Sequence, residues 1–599
     1  MKLTLILLAL TLLAPMGALR AVESPAPGAL NVILIVTDDQ GYGDYGFMGN
    51  PHLRTPHLDR MAASSPRVDR FYVSPVCSPT RAALMTGRYA YRTGVIATNG
   101  GQSEMDSEET TVAEVLRANG YFTGIYGKWH LGDQAPRRPQ DQGFEEALVH
   151  RGGGLAQGSD PPENEDRYTD PILFHNGAKI ATRGFCTDVY FRYAREAVAR
   201  SQQARRPFFL YIATNAPHDP YHDVPDDPYR FYRSLGQELV NFPTASGHFP
   251  IENQGEMNAP DRIARIYAMV ENIDTNVGAL LDDLERRNLL SSTLVVFMSD
   301  NGGRGRRYSA GLRGEKSEVY EGGIRSPLLL SLQGRLSQEV RIHAATAHID
   351  MFPTLLSACG IAHPRGVSLD GLDLWPLLTG QMGDSALAGR TLFLQSHWGS
   401  RPDLYRNAAV IRGEWKLVSN TRHTGALRSG IPPFELFNLR EDPNEKVNVM
   451  ADHPRRAETL QVAYEDWFYA VTARRFGPPV IEIGTAAEPE VVLTQMERWA
   501  ARTDTWSRRE GDWRVKVSTT ARFRLTPVPR PRSTWEEVTL WIPELQEQPL
   551  VLTKAEGSES SLGVRLVPGV YTIRATMKSG GKIAPLHQLS ITSDHATPP

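Results

Sequence analysis

The segment Phe71-Tyr-Val-Ser-Pro-Val-Cys77-Ser-Pro-Thr-Arg81-Ala-Ala-Leu-Met-Thr-Gly-Arg88 decides the fold of this chain. Its apolar start predicts a strand, and Ser-Pro-Thr before Ala, Leu and Met predicts the start of a helix. We expect Ser78 or Thr80 to accept hydrogen bonds from the free N–H groups of the first turn. Cys77 then lies at a helix N-terminus, which favours an anion, and Arg81 adds a cation that can bind an oxyanion. On these residues alone, a capped helix with a buried free cysteine explains the pattern equally well.

Several apolar runs have the pattern of strands buried on both faces of a parallel sheet. They predict an α/β fold, in which ligands bind at the carboxyl edge of the sheet. Each run is followed by polar residues suited to one metal–anion site, which indicates a hydrolase-type metalloenzyme. The runs are 31–36, 121–126, 207–213 and 293–298, and the residues that follow them are Asp38 and Asp39, Lys128 and His130, Asn215 and His218, and Asp300 and Asn301.

The adjacent carboxylates of Asp38 and Asp39 are costly unless a cation neutralises them. Asp300 and Asn301 add oxygen ligands, so these residues can form a cage for one hard cation, Ca²⁺ or Mg²⁺. The alternative for each is a solvated loop. Lys-x-His, in extended backbone, points both side chains the same way and suits anion binding with proton transfer.

Cys-x-Pro-x-Arg followed by Leu-Met-Thr-Gly-Arg88 resembles the signature of the type I sulfatases, which belong to the alkaline phosphatase superfamily. Further stretches match that family in the expected order: Gly127-Lys-Trp-His-Leu-Gly132, Asn215-Ala-Pro-His218, Leu312-Arg-Gly-Glu-Lys316 and 321–327. The resemblance covers roughly residues 30 to 475. It implies a large mixed sheet flanked by helices, followed by a small antiparallel-sheet subdomain.

The resemblance also implies a mechanism. A formylglycine-generating enzyme would oxidise Cys77 to formylglycine (3-oxoalanine), whose hydrate is the nucleophile. One Ca²⁺ would be held by Asp38, Asp39, Asp300 and Asn301 and would also touch residue 77. The catalytic residues implied are Cys77 as the source of the nucleophile; Arg81, Lys128 and Lys316 as neutralisers of the sulfuryl oxygens; His218 as the acid for the leaving alcohol; and His130 as the base for the final collapse.

Composition gives no general reason to expect nucleic-acid or membrane binding, since the net charge is only −3 over 599 residues. Residues 1–21 read as a secretory signal peptide, whose apolar run is well short of the ~20 residues that span a membrane. We therefore expect an exported protein, periplasmic or extracellular, without an integral membrane span. If Cys77 is converted, Cys186 and Cys359 remain, either paired or reduced.

The domain organisation predicted is a catalytic α/β domain over 28–385, a C-terminal subdomain over 386–476 and an accessory β-sandwich over 480–599. Carbohydrate binding, cleft completion and packing are all open roles for the sandwich. Residues 133–205 are too irregular for a core and are expected to form a surface region that rims the site. His397 and Trp398 are candidates for lining the cleft, and structural packing is the alternative for both.

Export, the β-sandwich and a basic run near the site favour a sulfated oligo- or polysaccharide as substrate, with aryl sulfates as surrogates. That run is Arg304, Arg306, Arg307 and Arg313. Two alternatives remain at this stage. One is a phosphomonoester or phosphonate hydrolase of the same superfamily, and the other is a catalytically silent carbohydrate-binding protein that keeps Cys77 as a thiol.

Overall fold

A computed structural model describes residues 29–594 except 156, 166, 242–258, 420, 422–431, 500–510, 530–534 and 554–560. The predicted signal peptide lies outside the described residues. The strands of the N-terminal part are β1 (Asn31–Thr37), β2 (Arg67–Tyr72), β3 (Phe122–Lys128), β4 (Glu146–His150), β5 (Ile172–His175), β6 (Ala178–Ala181), β7 (Phe208–Ala213), β8 (Thr293–Ser299), β9 (Arg325–Ser326), β10 (Leu328–Ser331) and β11 (Arg341–Ala347).

The central sheet is mixed, with strand order β10-β8-β1-β7-β3-β4-β5-β6. Its middle strands pair in parallel, and the antiparallel pairs lie at the two edges, β10 with β8 on one side and β4 with β5 and β5 with β6 on the other. Every residue of β1, β7 and β8 is buried, which explains why these strands are continuous apolar runs. The α/β fold with a large mixed sheet is confirmed.

Helices cover both faces of this sheet, and β1 shows how. Val32 and Leu34 belong to one buried apolar cluster, whereas Ile33 and Ile35 belong to another on the opposite face. Helices α2, α3, α8 and α9 contribute to the first cluster, and α1, α4 and α6 to the second. The helices are α1 (Pro56–Ser64), α2 (Cys77–Thr86), α3 (Val112–Ala118), α4 (Cys186–Gln203), α5 (Asp226–Ser234), α6 (Ala259–Arg286), α7 (Glu321–Ile324), α8 (Met351–Ala358), α9 (Trp375–Leu378) and α10 (Pro454–Val471).

Two local expectations were wrong. Within residues 133–205, β4 pairs with β3 as a fully buried strand, and β5 and β6 complete one edge of the sheet. The helix cap also differs, because Val76 is the N-cap residue of α2 and no side-chain capping bond forms within the described residues. Thr80 Oγ1 instead accepts the Ser74 N–H at 3.0 Å, which fixes the chain just before the helix.

The C-terminal region consists of antiparallel β-structure and one long helix. One sheet, formed by β12 (Thr391–Gln395), β13 (Ala408–Arg412), β14 (Trp415–Ser419) and β15 (Glu435–Asn438), packs against α10. The remaining strands form two sheets around a shared buried apolar cluster, which is a sandwich. They are β16 (Val480–Ile483), β17 (Glu490–Leu493), β18 (Trp513–Val517), β19 (Ala521–Val528), β20 (Glu537–Trp541), β21 (Leu550–Thr553), β22 (Leu562–Leu566), β23 (Gly569–Ser579), β24 (Lys582–Pro585) and β25 (Gln588–Ser593). The domain boundaries remain predictions.

Two further expectations concern the pairing of the cysteines and the presence of a membrane-spanning helix. Cys77, Cys186 and Cys359 are all buried and free, so Cys186 and Cys359 are not joined by a disulfide. Among the described residues, no helix combines the length and the apolar character needed to cross a membrane.

Candidate active site

Carboxylate and amide groups converge where β1 and β8 end. The two strands are parallel and pair Thr37 with Ser299, so the residues that follow them leave the sheet at the same edge. Asp38, Asp39, Asp300 and Asn301 are at most 1% exposed. Each comes from the stretch that the sequence predicted, and the fold brings all of them together.

These residues fit a hard cation. Asp38 Oδ1, Asp39 Oδ2 and Asn301 Oδ1 are buried acceptors without a hydrogen-bond partner among the described residues. Candidate ligand atoms of Asp38, Cys77 and Asp300 lie within 4.8 Å of one another, as do those of Asp38, Asp39 and His218. Buried oxygen acceptors normally have a partner, and oxygen is the ligand that Ca²⁺ and Mg²⁺ prefer.

Each carboxylate of this cluster is also paired with a cation from another element. The pairs are Lys128 Nζ with Asp38 Oδ2 at 2.7 Å, Lys316 Nζ with Asp39 Oδ1 at 2.5 Å, and Arg81 Nη2 with Asp300 Oδ2 at 2.7 Å. Arg81 and Lys128 have fully buried side chains. Arg81 also donates to Tyr211 Oη at 3.2 Å, a contact that the sequence did not predict.

The pKa values of the carboxyls reflect this crowding. Burial would raise the pKa of Asp39, but Lys316 and His218 hold it well below its ordinary value. At Asp38, burial acts to raise the pKa and the charge of Lys128 acts to lower it, and the pKa of Asp38 is lowered overall. Burial and the charge on Asp38 raise the pKa of Asp300 to about 6. A divalent cation beside these groups would relieve the repulsion that raises it.

Cys77 is the first residue of α2 and faces a histidine. Its Sγ lies 3.4 Å from His130 Nδ1, and the residue is 2% exposed. Burial raises the pKa of the thiol, although Lys128 and Lys316 act in the opposite direction. The unmodified side chain is therefore a protonated thiol at neutral pH, which is a weak nucleophile.

His130 is held in one tautomer by the loop before α3. Its Nε2 lies 2.7 Å from the carbonyl oxygen of Thr98, so Nε2 carries the proton and the Nδ1 lone pair faces Cys77. Burial and the charge of Lys128 lower the pKa of His130 well below its ordinary value, which keeps the ring neutral. Gly153 packs on the ring, since a Cβ there would lie 2.8 Å from His130 Cε1.

His218 approaches the cluster from the end of β7. Its Nδ1 lies 2.6 Å from the carbonyl oxygen of Asp219, so this nitrogen is the donor. The other nitrogen, Nε2, lies 3.7 Å from Asp39 Oδ2. The two histidines thus reach the site from different strands, and His130 faces it with Nδ1 whereas His218 faces it with Nε2.

A pocket of about 470 Å³ opens above these groups. Besides Cys77, His130, His218 and Lys316, it is lined by Val76, Thr98, Gly153, Gln157, Asp219, Arg304, Gly305, Glu315, Ser317 and Trp398. Of the two cleft candidates from the sequence, Trp398 lines the pocket, whereas His397 is fully buried and does not line it. Gly153 belongs to the predicted rim. Thr98, Gln157 and Asp219 were missed because they lie in loops without a motif.

The basic run is only partly at the pocket. Arg304 lines it, whereas Arg307 is buried against Asp44 at 2.5 Å and Arg313 packs on the ring of Tyr320. The sequence expectation that the whole run faces substrate was therefore too broad. The sequence shows that these residues are charged, but it does not show which of them pack against a carboxylate or an aromatic ring away from the pocket.

The fold and this geometry define a class of protein: an α/β enzyme whose buried carboxylates fit a hard cation and whose lysines suit a tetrahedral oxyanion. The family model described as Sulfatase matches residues 30–361, and that of the N-sulphoglucosamine sulphohydrolase C-terminal region matches residues 314–465. The chain belongs to the sulfatase family and is a sulfatase.

Individual proteins give the same result. Arylsulfatase A of Homo sapiens is 32% identical over 485 residues, covering 74% of this chain and 86% of that protein. N-acetylgalactosamine-6-sulfatase of Canis lupus familiaris is 30% identical over 467 residues, covering 70% and 82%. The crystal structure of Ps i-CgsB is 28% identical with a TM-score of 0.62, covering 75% of this chain and 95% of that one, and its complex with k-i-k-neocarrahexaose has a TM-score of 0.61.

Proposed function

We propose that this sulfatase hydrolyses sulfate esters of carbohydrates, using a formylglycine made from Cys77 and one Ca²⁺. The observation that carries the proposal is the convergence of Cys77, His130 and the three carboxylate–cation pairs in one buried site. Unmodified Cys77 fits this chemistry poorly, because its thiol stays protonated. An aldehyde hydrate at the same position supplies a hydroxyl nucleophile instead.

Asp38, Asp39, Asp300 and Asn301 would hold the cation, with residue 77 beside it. When bound, Ca²⁺ supplies positive charge that polarises the sulfate oxygens. Lys128, Lys316 and Arg81 contribute fixed positive charge around the same point, and their pairing with carboxylates keeps them in place. Lys316 reaches the pocket directly.

In the first half-reaction, one hydroxyl of the hydrate passes its proton to a neighbouring carboxylate, Asp38 or Asp300, and attacks sulfur, while the bond between sulfur and the leaving alkoxide oxygen breaks. His218 gives that oxygen a proton, so the product leaves as a neutral alcohol. The sulfuryl group is then carried by residue 77. His218 lines the pocket, where a leaving group can be reached from its ring.

In the second half-reaction, His130 Nδ1 takes the proton of the remaining hydroxyl of residue 77. The carbonyl bond re-forms, the carbon–oxygen bond to sulfate breaks, and inorganic sulfate leaves. Water then adds to the aldehyde and restores the hydrate. The neutral ring of His130, with its lone pair 3.4 Å from the residue 77 side chain, suits the role of base.

For the substrate, we propose a sulfated oligo- or polysaccharide. Trp398 offers an aromatic surface in the pocket, and Gln157 and Arg304 offer donors for hydroxyl or sulfate oxygens. The complex of the relative Ps i-CgsB with k-i-k-neocarrahexaose supports a carbohydrate ligand. We also propose that the chain is exported by the signal peptide over 1–21, which N-terminal sequencing of the mature protein tests.

Peptide mass spectrometry across residue 77 tests the proposal, on protein made together with a formylglycine-generating enzyme. We expect a mass loss of ~18 Da, because –CH₂SH becomes an aldehyde. Hydrolysis of 4-nitrophenyl sulfate should disappear in Cys77→Ala and persist in Cys359→Ala, a matched change at another buried cysteine. If protein that releases sulfate still carried an unmodified thiol at residue 77, the formylglycine mechanism would be refuted.

A further inference from the structure

Asp219 lies directly behind the ring of His218. Its carboxylate Oδ1 is 3.2 Å from His218 Nδ1, and its backbone carbonyl oxygen is 2.6 Å from the same nitrogen. Both acceptors of one residue therefore face the nitrogen that points away from Asp39. A ring held at Nδ1 in this way keeps Nε2 directed towards the site.

Asp219 is itself held from two sides. Arg304 Nη1 lies 2.8 Å from Asp219 Oδ1, and the Tyr168 hydroxyl donates to the backbone carbonyl of Asp219 at 2.7 Å and to that of His218 at 3.0 Å. Tyr168 is fully buried, so it anchors the backbone of both residues. Asp219 and Arg304 also line the pocket.

We propose that Asp219, held by Arg304, is a positioning residue that fixes the ring of His218 through Nδ1, so that Nε2 stays directed at the leaving group. The inference rests on the proposed role of His218 as the acid of the first half-reaction. Asp219 donates no proton and forms no bond to substrate in this role. Its effect should therefore appear only where the leaving oxygen needs a proton.

A series of ring-substituted phenyl sulfates provides the test, because these substrates differ little in size but differ in how well the phenolate leaves. 4-Nitrophenolate leaves without a proton more readily than phenolate does. In Asp219→Asn, which keeps the side-chain shape, we expect kcat/KM for phenyl sulfate to fall by about tenfold or more. For 4-nitrophenyl sulfate we expect a fall of less than about twofold.

Companion variants separate positioning from general damage. His218→Ala should steepen the leaving-group dependence further, and adding Asp219→Asn to it should change little, since the two residues act as one unit. Arg304→Gln should steepen the leaving-group dependence of kcat/KM less than Asp219→Asn does. Asp226→Asn, a matched loss of an exposed carboxylate that pairs with Arg230, should behave as wild type.

The outcomes distinguish this inference from the proposed function. A steeper dependence in His218→Ala with none in Asp219→Asn would overturn the positioning role alone. An equal loss for all substrates in Asp219→Asn, at unchanged thermal midpoint, would overturn it as well. If His218→Ala itself leaves the dependence unchanged, the acid role of His218 and the inference both fail.

Discussion

At the scale of single residues, Cys77 and His130 face each other across 3.4 Å, and burial sets the protonation of both. Burial raises the pKa of the thiol and lowers that of the imidazole, so both are neutral. A neutral His130 whose Nε2 is engaged by Thr98 can accept a proton at Nδ1 without losing its place. This geometry supports the proposed role of His130 as the base of the collapse step.

His130→Ala should therefore separate the two half-reactions. We expect a burst of about one phenolate per active site with 4-nitrophenyl sulfate, followed by turnover slowed by about 10²–10⁴-fold, because the sulfated residue 77 loses its base. Mass spectrometry of the stalled enzyme should find residue 77 carrying one sulfuryl group. A slow rate without a burst would assign His130 to the first half-reaction instead.

His218→Ala is the matched comparison for that experiment. It should slow the hydrolysis of phenyl sulfate, and it should show no burst with 4-nitrophenyl sulfate, because His130 is still present as the base and the sulfated residue 77 collapses without delay. A burst of equal size in both variants would contradict the assignment of one histidine to each half-reaction. Both variants keep the carboxylate–cation pairs intact.

The sequence predicted which polar residues follow buried strands and would come together, and the reason is physical. Parallel strands such as β1 and β8 end at one edge of the sheet, so Asp38 and Asp300 had to come together. Thr98, Gln157 and Asp219 belong to loops, whose path depends on packing with distant segments. Thr98 acts through a backbone carbonyl, which no residue type reveals.

At the scale of elements, strands β4 to β6 are also features that the sequence did not predict. They lie in a stretch rich in Gly and Pro, and β5 and β6 contain only four residues each, too few for a periodic pattern. Their role is visible only in the sheet, where β4 extends the parallel strands and β5 and β6 cover its edge.

The sandwich strands contact the loops that form the pocket. Gln588 at the start of β25 donates to the carbonyl oxygens of Gly158 and Asp160 at 3.1 and 2.9 Å. The Gly101 N–H donates to the Met496 carbonyl at 2.5 Å, and the Ala135 N–H donates to Glu488 at 2.7 Å. These loops also carry the pocket residues Thr98, Gly153 and Gln157. Among the residues that the structure describes, the sandwich contributes none of those that line this pocket, so these contacts are packing against loops that carry pocket residues, and we expect them to brace those loops.

Gln588→Leu should therefore weaken binding of large substrates. We expect KM for a sulfated oligosaccharide to rise by about fivefold, from loss of hydrogen bonds that fix the loop, with kcat for 4-nitrophenyl sulfate nearly unchanged. Ser590→Ala is the control, because Ser590 bonds to Glu490 within the sandwich. Equal KM values for both variants would show that the sandwich only packs.

At the scale of the whole molecule, the junction between the sandwich and the N-terminal part buries carboxyl groups of both. Burial and the charge of Glu497 raise the pKa of Asp133 to about 7. Burial and Glu497 also raise the pKa of Glu104 well above its ordinary value, and burial raises that of Glu497. The charged groups that interact at this junction include Glu104, Asp133, Glu488, Glu497, Arg137, Arg138, Asp141 and Arg151.

Because of these pKa shifts, the free energy of unfolding depends on pH, and the direction of that dependence follows from the direction of the shifts. A carboxyl whose pKa is higher in the folded chain binds more protons when folded, so the free energy of unfolding falls as pH rises towards the folded pKa. For Asp133 this window runs from the ordinary value of 3.8 to about 7. Deprotonation there places like charges on both sides of the junction, which loosens the contact that braces the pocket loops.

Glu104→Gln should flatten this dependence, because it removes one titrating carboxyl and keeps the side-chain shape. Between about pH 5 and about pH 8, the thermal midpoint should fall by about 1–3 °C less in the variant than in wild type. Calorimetry at a series of pH values measures the difference, and Glu163→Gln, at an exposed glutamate that pairs with Lys179, is the control. Parallel curves for wild type and Glu104→Gln would contradict a titrating junction, since removing a coupled carboxyl must change the number of protons bound on unfolding.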